Sequence, residues 1–264
     1  MQNRHIDRKR YFDELAKTSE EFYIDYLKPY KNIGPGCKVL EIGCGEGGNL
    51  LPFAQAGCKV AGLDLAAGKI DNARKFFATL ETEGEFACAD FLKTNPFEKD
   101  GLFDIILIHD VIEHIEPEGK DAFFERLKMY LKPDGIIFFA FPAWQMPFGG
   151  HQQICRSKVC SKVPFMHVLP VFMYKAWLKL FGEQKDKIDE LLSIKRSRMT
   201  PEKFEKLCAG HGYGIKDRIF WFFSPHYKTK FNLTPHRLWK PLARIPYLRN
   251  WFTTSCFYLI EESK

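Results

Sequence analysis

The stretch Lys38-Val39-Leu40-Glu41-Ile42-Gly43-Cys44-Gly45-Glu46-Gly47-Gly48 decides the fold of this chain. Residues 38–42 form a short apolar run that predicts a strand, and the apolar side chains at 50–54 predict a helix directly after the glycines. Glycines at such a junction let the backbone turn sharply and let a ligand approach it closely. The stretch therefore predicts a strand–turn–helix unit with a ligand at its turn.

The same alternation of strands and helices continues along the chain. The strand predictions are 60–63, 85–89, 103–109 and 136–141, and the helix predictions are 66–80 and 117–130. Because these strands are almost continuously apolar, they favour a parallel sheet with helices on both faces. The rhythm ends at Pro142. Beyond it the sequence predicts helices at 170–182, 184–196 and 200–209, and strands at 215–223 and 253–261; before the first strand, residues 11–31 predict one or two helices.

The composition supports a single large globular unit. The chain has 264 residues, of which 45% are hydrophobic and 27% are charged, so a substantial core can form and low-complexity disorder is excluded. No apolar run reaches the roughly 18 residues that a bilayer span needs, and the polar start has no signal-peptide centre. The eight cysteines are scattered, which favours reduced thiols and a cytoplasmic location.

Charge is distributed unevenly between the two parts of the chain. Residues 1–150 contain 18 Lys and Arg against 24 Asp and Glu, whereas residues 151–264 contain 21 against 9. The acidic part suits a ligand with cationic groups. The basic part suits an anionic substrate, a phosphate or a membrane surface.

The glycine turn by itself is compatible with two kinds of ligand. Gly43, Gly45 and Gly48 satisfy the dinucleotide spacing G-x-G-x-x-G, and Asp64 after the next strand could bind ribose hydroxyls in either case. A pyrophosphate, however, would be repelled by Glu41 and Glu46. The sulfonium and ammonium groups of S-adenosylmethionine would be attracted by them, so the acidic turn favours this ligand.

Further motifs follow in a fixed order. They are Ala89-Asp90-Phe91 after the third strand, Phe103-Asp104-Ile105-Ile106 in the fourth, Asp110-Val111-Ile112-Glu113-His114 after it, and Leu131-Lys132-Pro133-Asp134-Gly135 before the fifth. With the glycine turn, they make residues 38–141 resemble a class I S-adenosylmethionine-dependent methyltransferase of the small-molecule group often called type 11. The resemblance implies an α/β, Rossmann-like fold with a seven-stranded, mostly parallel sheet, an antiparallel last strand at 253–261, and a helical insertion after strand five.

The same resemblance implies four segments. Residues 1–36 would supply N-terminal helices that cover the pocket, and 37–141 the S-adenosylmethionine-binding core. Residues 142–200 would form the insertion or lid over the acceptor pocket. Residues 201–264 would provide a C-terminal helix and the strands that complete the sheet.

The resemblance also implies which residues hold the cofactor. Backbone at Gly43, Cys44 and Gly45 would meet its methionine part, with Glu41 supporting the loop and the ammonium, and the carbonyl of His109 lying near that ammonium. On the nucleoside side, Asp64 would accept from both ribose hydroxyls and Leu65 would lie against the adenine. Asp90 would accept from the adenine amino group and Phe91 would pack on the ring. The product would be S-adenosylhomocysteine.

Four residues are candidates for removing a proton from the acceptor: His109, Glu113, His114 and His151. Histidine suits this work because its pKa lies near neutrality. A similar Glu-His pair lies near the acceptor in related ubiquinone-type O-methyltransferases, sometimes near a divalent metal. The alternative is that Glu113 and His114 only cap the next helix, and that His151 lies in a plain surface loop.

The insertion raises two further questions. His151, Cys155, Cys160 and His167 suggest zinc, but their spacing fits none of the common paired-cysteine patterns, so we predict no metal. Residues 163–182 are apolar with basic residues towards the end. This segment is compatible with a helix packed on the core, a substrate lid, a homo-oligomer contact, or an interfacial membrane helix with peripheral attachment.

The predicted function is methyl transfer to a small-molecule acceptor, with O-methylation favoured and an anionic or lipid-linked acceptor as the weaker inference. Aromatic and basic residues at 219–251 leave an RNA or protein methyltransferase as the alternative, although no recognised RNA-binding module is visible, so nucleic acid is disfavoured as a partner. A nicotinamide-dependent oxidoreductase and a non-catalytic binding protein also stay open.

Overall fold

A computed structural model of the chain describes residues 7–263. Residues 1–6 of the predicted segment 1–36 and residue 264 of the predicted segment 201–264 lie outside the described part. The strands are β1 Lys38–Ile42, β2 Lys59–Asp64, β3 Glu85–Cys88, β4 Phe103–His109, β5 Leu131–Phe141, β6 Tyr213–Phe223, β7 His236–Arg237 and β8 Ser255–Glu262. The α-helices are α1 Arg8–Thr18, α2 Ile24–Leu27, α3 Leu51–Gln55, α4 Ala67–Thr79, α5 Lys120–Leu127, α6 Val171–Leu180, α7 Lys185–Ser197, α8 Pro201–Gly210, α9 His226–Phe231 and α10 Lys240–Ala243.

The described strands form one sheet of eight, in the order β3-β2-β1-β4-β5-β8-β6-β7. The first five in this order run parallel, and β8 lies antiparallel between β5 and β6. The predicted fold class and the antiparallel last strand are confirmed, but the predicted number of seven strands is wrong. The additional strand is β7, which pairs with the outer edge of β6 over two residues and is too short to leave a periodic signal.

Strand β5 begins earlier than the sequence predicts. Leu131 pairs with Phe103 and Ile136 pairs with Ile105, so residues 132–135 bulge out of the pairing. These residues, which the sequence places before the fifth strand, are therefore an irregular part of that strand. Lys132 Nζ donates to Asp104 Oδ2 at 2.8 Å, which fixes the bulge to the neighbouring strand.

Helices cover both faces of the sheet because its strands are apolar on both sides. Along β4, Ile105 and Leu107 join a core that includes side chains from α1 to α4. Ile106 and Ile108 join the opposite core, to which α5 and α8 contribute. Successive side chains of a strand point to opposite faces, so one strand supplies both cores. The carboxyl ends of the parallel strands then meet at one edge, where ligands of open α/β sheets bind.

The insertion after β5 contains α6 and α7. It has a small core of its own, which comprises Cys155, Cys160, Tyr174, Leu178, Ile188, Leu191 and Leu192. The next helix, α8, starts as predicted: Thr200 Oγ1 accepts from Lys203 N at 3.2 Å, and Pro201 occupies the first turn. Among the described helices, none combines the length and the apolar character that crossing a membrane requires.

Candidate active site

The glycine turn after β1 is bound tightly to the neighbouring strand. The N–H groups of Gly43 and Cys44 both donate to the carbonyl oxygen of Leu63, at 2.8 and 3.0 Å. Gly43 and Gly45 adopt φ values of 74° and 56°, which favour glycine. The turn therefore holds one defined backbone conformation at the carboxyl ends of β1 and β2.

Two glycines around the turn are required by close packing. A Cβ atom at Gly48 would lie 2.6 Å from the carbonyl oxygen of Phe12, so helix α1 lies directly on the turn. A Cβ at Gly62 would lie 2.7 Å from Cys44 Sγ. The Cys44 side chain is thus buried against β2, and only its backbone is part of the turn's ligand-facing side.

Asp64 links the end of β2 to the glycine turn. Its Oδ2 atom accepts from the N–H of Gly45 at 3.0 Å, and its Oδ1 atom accepts from the N–H of Ala66 at 2.8 Å. Lys69 Nζ lies 3.6 Å from Oδ2. This carboxylate therefore organises the turn in addition to its predicted role towards ribose.

Glu41 is a buried carboxyl group beneath the turn. Asn49 Nδ2 donates to its Oε1 at 2.6 Å, whereas its Oε2 is buried and has no hydrogen-bond partner among the described residues. Burial raises the pKa of Glu41 to about 8, although the Asn49 hydrogen bond opposes this shift. At neutral pH this carboxyl group is therefore mostly protonated.

Glu46 does not supply the free negative charge that the sequence suggests. Its side chain is fully buried, and Arg8 Nε donates to its Oε1 at 2.6 Å. With Glu41 mostly neutral and Asp64 beside Lys69, the rim of the turn is less acidic than its residue count indicates. The charges at the turn therefore favour a cationic ligand less strongly than the sequence indicates. Arg8 lies 38 residues before Glu46 and in another element, so no local pattern announces this pair.

The residues predicted for the nucleoside side occupy two different environments. Leu65 is 73% exposed beside the end of β2, and Asp90 is partly exposed, accepting from Leu92 N at 2.9 Å. Both face solvent and are accessible to a ligand. Phe91 is only 5% exposed and lies in the core, with its ring centre 4.9 Å from that of Phe123. Its predicted contact with adenine stays a prediction, and its packing is that of a core residue.

Two cavities meet at the carboxyl edge of the sheet. The smaller, of about 110 Å³, is lined by the glycine turn, Glu41 and Asn49. The larger, of about 290 Å³, lies between the end of β4, the start of the insertion and helix α9. Tyr11, His109 and Asp110 line both cavities, so the two cavities are neighbours at these residues.

Asp110 stands between the two cavities in a left-handed backbone conformation. Its φ is 52°, and its N–H donates to the carbonyl oxygen of Ala140 on β5 at 2.9 Å. Burial opposes ionisation of this side chain, but the surrounding histidines outweigh it and lower the pKa of Asp110. These histidines are His109, His151, His226 and His114. The site thus concentrates imidazole rings around one carboxylate.

The structure brings Glu113, His114 and His151 together beside the larger cavity. The rings of His114 and His151 are edge to face with centres 4.9 Å apart, and His151 Nε2 lies 3.5 Å from Glu113 Oε1. Burial raises the pKa of Glu113 and lowers that of His151 to about 3. His114 is exposed to the cavity but enclosed by protein on most sides, and this desolvation lowers its pKa. Both imidazoles are therefore neutral at pH 7, and the low pKa of His151 makes that ring a weak proton acceptor.

Two groups of side chains have the spacing of metal ligands. The ligand atoms of Glu113, His114 and His151 lie within 4.8 Å of one another, and so do those of Cys155, Cys160 and Glu183. The four candidate zinc ligands named from the sequence do not come together as one set. His167, for example, forms a 2.7 Å hydrogen bond with the carbonyl oxygen of Trp144. The predicted absence of a metal stays a prediction.

Sequence patterns miss several residues that line the larger cavity. Tyr11 and Tyr23 come from the N-terminal helices, and His226 and Lys230 come from α9. Their approach depends on the packing of distant elements: the Tyr23 ring lies 5.9 Å from that of His109. The amphipathic spacing at 11–31 predicts a buried helix face, but not that this face lines a ligand cavity.

Comparison with known proteins identifies the central part of the chain. Residues 39–135 match a family model described as a methyltransferase domain. Phosphoethanolamine N-methyltransferase 1 of Zea mays is 29% identical over 211 residues, which are 74% of this chain and 40% of that protein. A ubiquinone biosynthesis O-methyltransferase of Rhodopseudomonas palustris is 34% identical over 105 residues, which are 40% of each protein. The matched segments thus span about 40% of the length of these two relatives.

Solved structures share the fold over nearly the whole chain. An S-adenosylmethionine-dependent methyltransferase from Clostridium acetobutylicum superposes with a TM-score of 0.59 and 13% identity, covering 94% of this chain and 92% of the other. The magnesium protoporphyrin IX methyltransferase of Synechocystis with bound S-adenosylhomocysteine gives 0.55 and 16%, covering 95% and 84%. The predicted fold and the resemblance drawn from the sequence motifs are confirmed.

Proposed function

We propose that this chain, which carries a class I S-adenosylmethionine-dependent methyltransferase domain, transfers a methyl group from S-adenosylmethionine to a small polar molecule, with a hydroxyl oxygen as the favoured acceptor atom. One observation carries the proposal: the cavity at the glycine turn meets a larger, histidine-rich cavity at Tyr11, His109 and Asp110. A donor bound at the turn and an acceptor bound in the larger cavity would be neighbours. The scattered cysteines of the sequence support a reducing compartment such as the cytoplasm.

The residues at the turn fit this cofactor. Glu41 Oε2 is a buried oxygen that lacks a hydrogen-bond partner in the described structure, and it suits an ammonium group. A Cβ at Gly45 would meet nothing within 4 Å, so a ligand can approach this backbone. Glu41, Gly43 and Gly45 would hold the amino-acid part, and Asp64 and Leu65 the nucleoside. When bound, the cofactor supplies an electrophilic methyl group on its sulfonium.

The chain's own contribution to the reaction is positioning and proton removal. The larger cavity holds the acceptor against the turn and excludes water from it. His114 lines the larger cavity and desolvation lowers its pKa, so its neutral ring would take the proton of an acceptor hydroxyl. His151, with its pKa lowered to about 3, is a weak base and would help to position the acceptor. Glu113 Oε1 lies 3.5 Å from His151 Nε2, and both carboxyl oxygens of Glu113 are buried without a hydrogen-bond partner among the described residues, so they suit a polar group of the acceptor. The presence of a candidate base beside the cavity supports oxygen as the acceptor atom. A hydroxyl must lose its proton to the enzyme, whereas a thiolate or a free amine attacks without a base.

Calorimetric titration tests the donor site. Purified protein should bind S-adenosylmethionine, and Asp64→Ala should weaken binding by about 100-fold because the ribose contact and the Gly45 hydrogen bond are lost together. Asp71→Ala is the matched control, since Asp71 on α4 is exposed and pairs with Arg74 of the same helix. Binding that is unchanged in Asp64→Ala, or a thermal shift with NAD and none with S-adenosylmethionine, overturns the assignment.

A screen of small hydroxylated acceptors, read out as S-adenosylhomocysteine production, tests the reaction. We expect turnover with at least one polar acceptor, and a loss of about 100-fold or more in kcat for His114→Ala or His151→Ala. Turnover on tRNA or on a protein, together with an electrophoretic shift of the tRNA, would instead favour the macromolecular alternative.

A further inference from the structure

We propose that helix α6 and the neighbouring ring pair Phe165 and Trp251 form a face that docks on an anionic phospholipid surface. The proposal concerns this face alone and does not depend on methyl transfer. Several large apolar side chains of α6 lie exposed on the surface of the described part of the chain.

Helix α6 presents an apolar row to solvent. Phe172 and Leu180 are 73% and 79% exposed, and Met173 is exposed between them, whereas Tyr174 and Leu178 are buried against the insertion core. Residues 172, 173, 176 and 180 lie on one side of an α-helix. Exposed aromatic and aliphatic side chains in such a row mark a surface that is covered when the protein works.

A second exposed apolar group combines a residue before α6 with one from the C-terminal part of the chain. The rings of Phe165 and Trp251 lie 5.8 Å apart, and both are about two-fifths exposed. Phe165 precedes α6 by a few residues, and its N–H donates to the carbonyl oxygen of Pro147 at 2.7 Å. Phe148, which follows Pro147 in the chain, lines the larger cavity. We define the docking face by Phe165, Phe172, Met173, Leu180 and Trp251.

The charge around this face selects the occupant. Lys175 and Lys179 are exposed on α6 next to the apolar row, and Lys158 and Lys162 are exposed in the segment before Phe165. Residues 151–264 as a whole contain 21 Lys and Arg against 9 Asp and Glu. An apolar row bordered by lysines complements acyl chains below a layer of negative headgroups. A second copy of this chain would bring the same lysines together and is disfavoured by their repulsion.

Vesicle flotation of the full-length protein tests the docking face. We expect salt-sensitive binding to vesicles of phosphatidylcholine and phosphatidylglycerol in equal parts, and little binding to phosphatidylcholine alone. Phe172→Glu combined with Leu180→Glu should weaken binding by at least about tenfold, because two apolar side chains are lost from the interface. Lys175→Gln combined with Lys179→Gln should weaken binding to the anionic vesicles by roughly tenfold and reduce its salt dependence, since Lys158 and Lys162 remain.

Leu80→Glu combined with Met129→Glu is the matched control, since both are exposed apolar residues of the catalytic core and should leave flotation unchanged. Thermal melts establish that each variant is folded, and the lysine variant provides the test if the glutamate variant is not. Three results would overturn the proposal: no flotation of the wild type, equal flotation of wild type and folded variants, or light scattering that shows a dimer lost in Phe172→Glu.

Discussion

At the scale of single residues, two glutamates of the same glycine turn have different electrostatic states. Glu46 is paired with Arg8, whereas Glu41 has a neutral partner, Asn49, and burial raises its pKa to about 8. The motif predicts both carboxylates but cannot predict their protonation, because Arg8 is supplied by a helix that packs on the turn from a distant part of the chain. The state of each group depends on tertiary contacts that no short motif contains.

The raised pKa of Glu41 predicts proton release on cofactor binding. At pH 7 the free protein keeps this carboxyl protonated; a cationic ammonium placed beside it lowers its pKa, and the proton leaves. Calorimetry at pH 7 in buffers of different ionisation enthalpy should report release of nearly one proton per S-adenosylmethionine. Glu41→Gln, which can still accept from Asn49, should abolish the release. Equal proton release by wild type and Glu41→Gln would contradict this assignment.

A side chain added at Gly43 should cause a steric clash, and the cost of this clash can be separated from the cost of backbone strain. A Cβ there would overlap Val111 Cγ2, and its φ of 74° already disfavours other residues. Gly43→Ala should lower stability by about 2–4 kcal/mol in denaturant unfolding, the sum of a strained φ and an overpacked contact. Gly212→Ala is the control: its φ is 73°, but a Cβ there meets nothing within 4 Å, so about 1 kcal/mol is expected. Similar losses in the two variants would show that the Val111 contact relaxes freely.

At the scale of elements, a buried lysine holds three parts of the fold together. Lys120, at the start of α5, donates to the carbonyl oxygens of Ile112 and Ile115 at 2.6 and 2.7 Å, and to Ser197 Oγ at 2.9 Å. The first two belong to the loop that carries Glu113 and His114, and Ser197 ends α7 of the insertion. Lys120 therefore fixes the loop with the candidate bases relative to the insertion.

Replacing this lysine should affect both stability and turnover. Lys120→Met leaves three acceptors without their donor, two of them in buried hydrogen bonds, and we expect a loss of about 2–4 kcal/mol in free energy of unfolding. In the folded fraction, kcat should fall roughly 10- to 100-fold with little change in the dissociation constant of S-adenosylmethionine, because the loop shifts and the glycine turn does not. Lys206→Met, an exposed lysine on α8, should change neither quantity. A kcat equal to that of the wild type would show that the loop holds its position unaided.

The elements differ in how far the sequence predicts them. Strand β1 was predicted with its observed bounds, and the start of α8 follows from Thr200 and Pro201, because apolar runs and caps are local signals. The strand β7 and the bulge at 132–135 were not predicted, since both result from pairing with a neighbouring strand. Element type is therefore encoded locally, while pairing depends on the assembled sheet.

At the scale of the whole molecule, burial predicts which thiols react. Of the eight cysteines, all in the described part of the chain, Cys88 alone is exposed, and its Sγ lies 3.5 Å from the carbonyl oxygen of Leu65. Brief alkylation of the native protein should therefore modify Cys88 at least about tenfold faster than any other cysteine, as peptide mapping by mass spectrometry would report. S-adenosylmethionine should slow the modification, because the predicted adenine site adjoins Leu65. Rapid labelling of Cys155 or Cys160 would show instead that the insertion opens.

The strand order of the sheet has a consequence for synthesis on the ribosome. Strand β8 lies between β5 and β6, so a nascent chain that has emerged only as far as β6 has an unfilled gap in the middle of its sheet. Until residues 255–262 emerge, the apolar edge of β5 is open to pairing with other chains. A chaperone that binds the nascent chain would protect this edge. Rapid translation of the segment before β8 would shorten the time for which the edge is open.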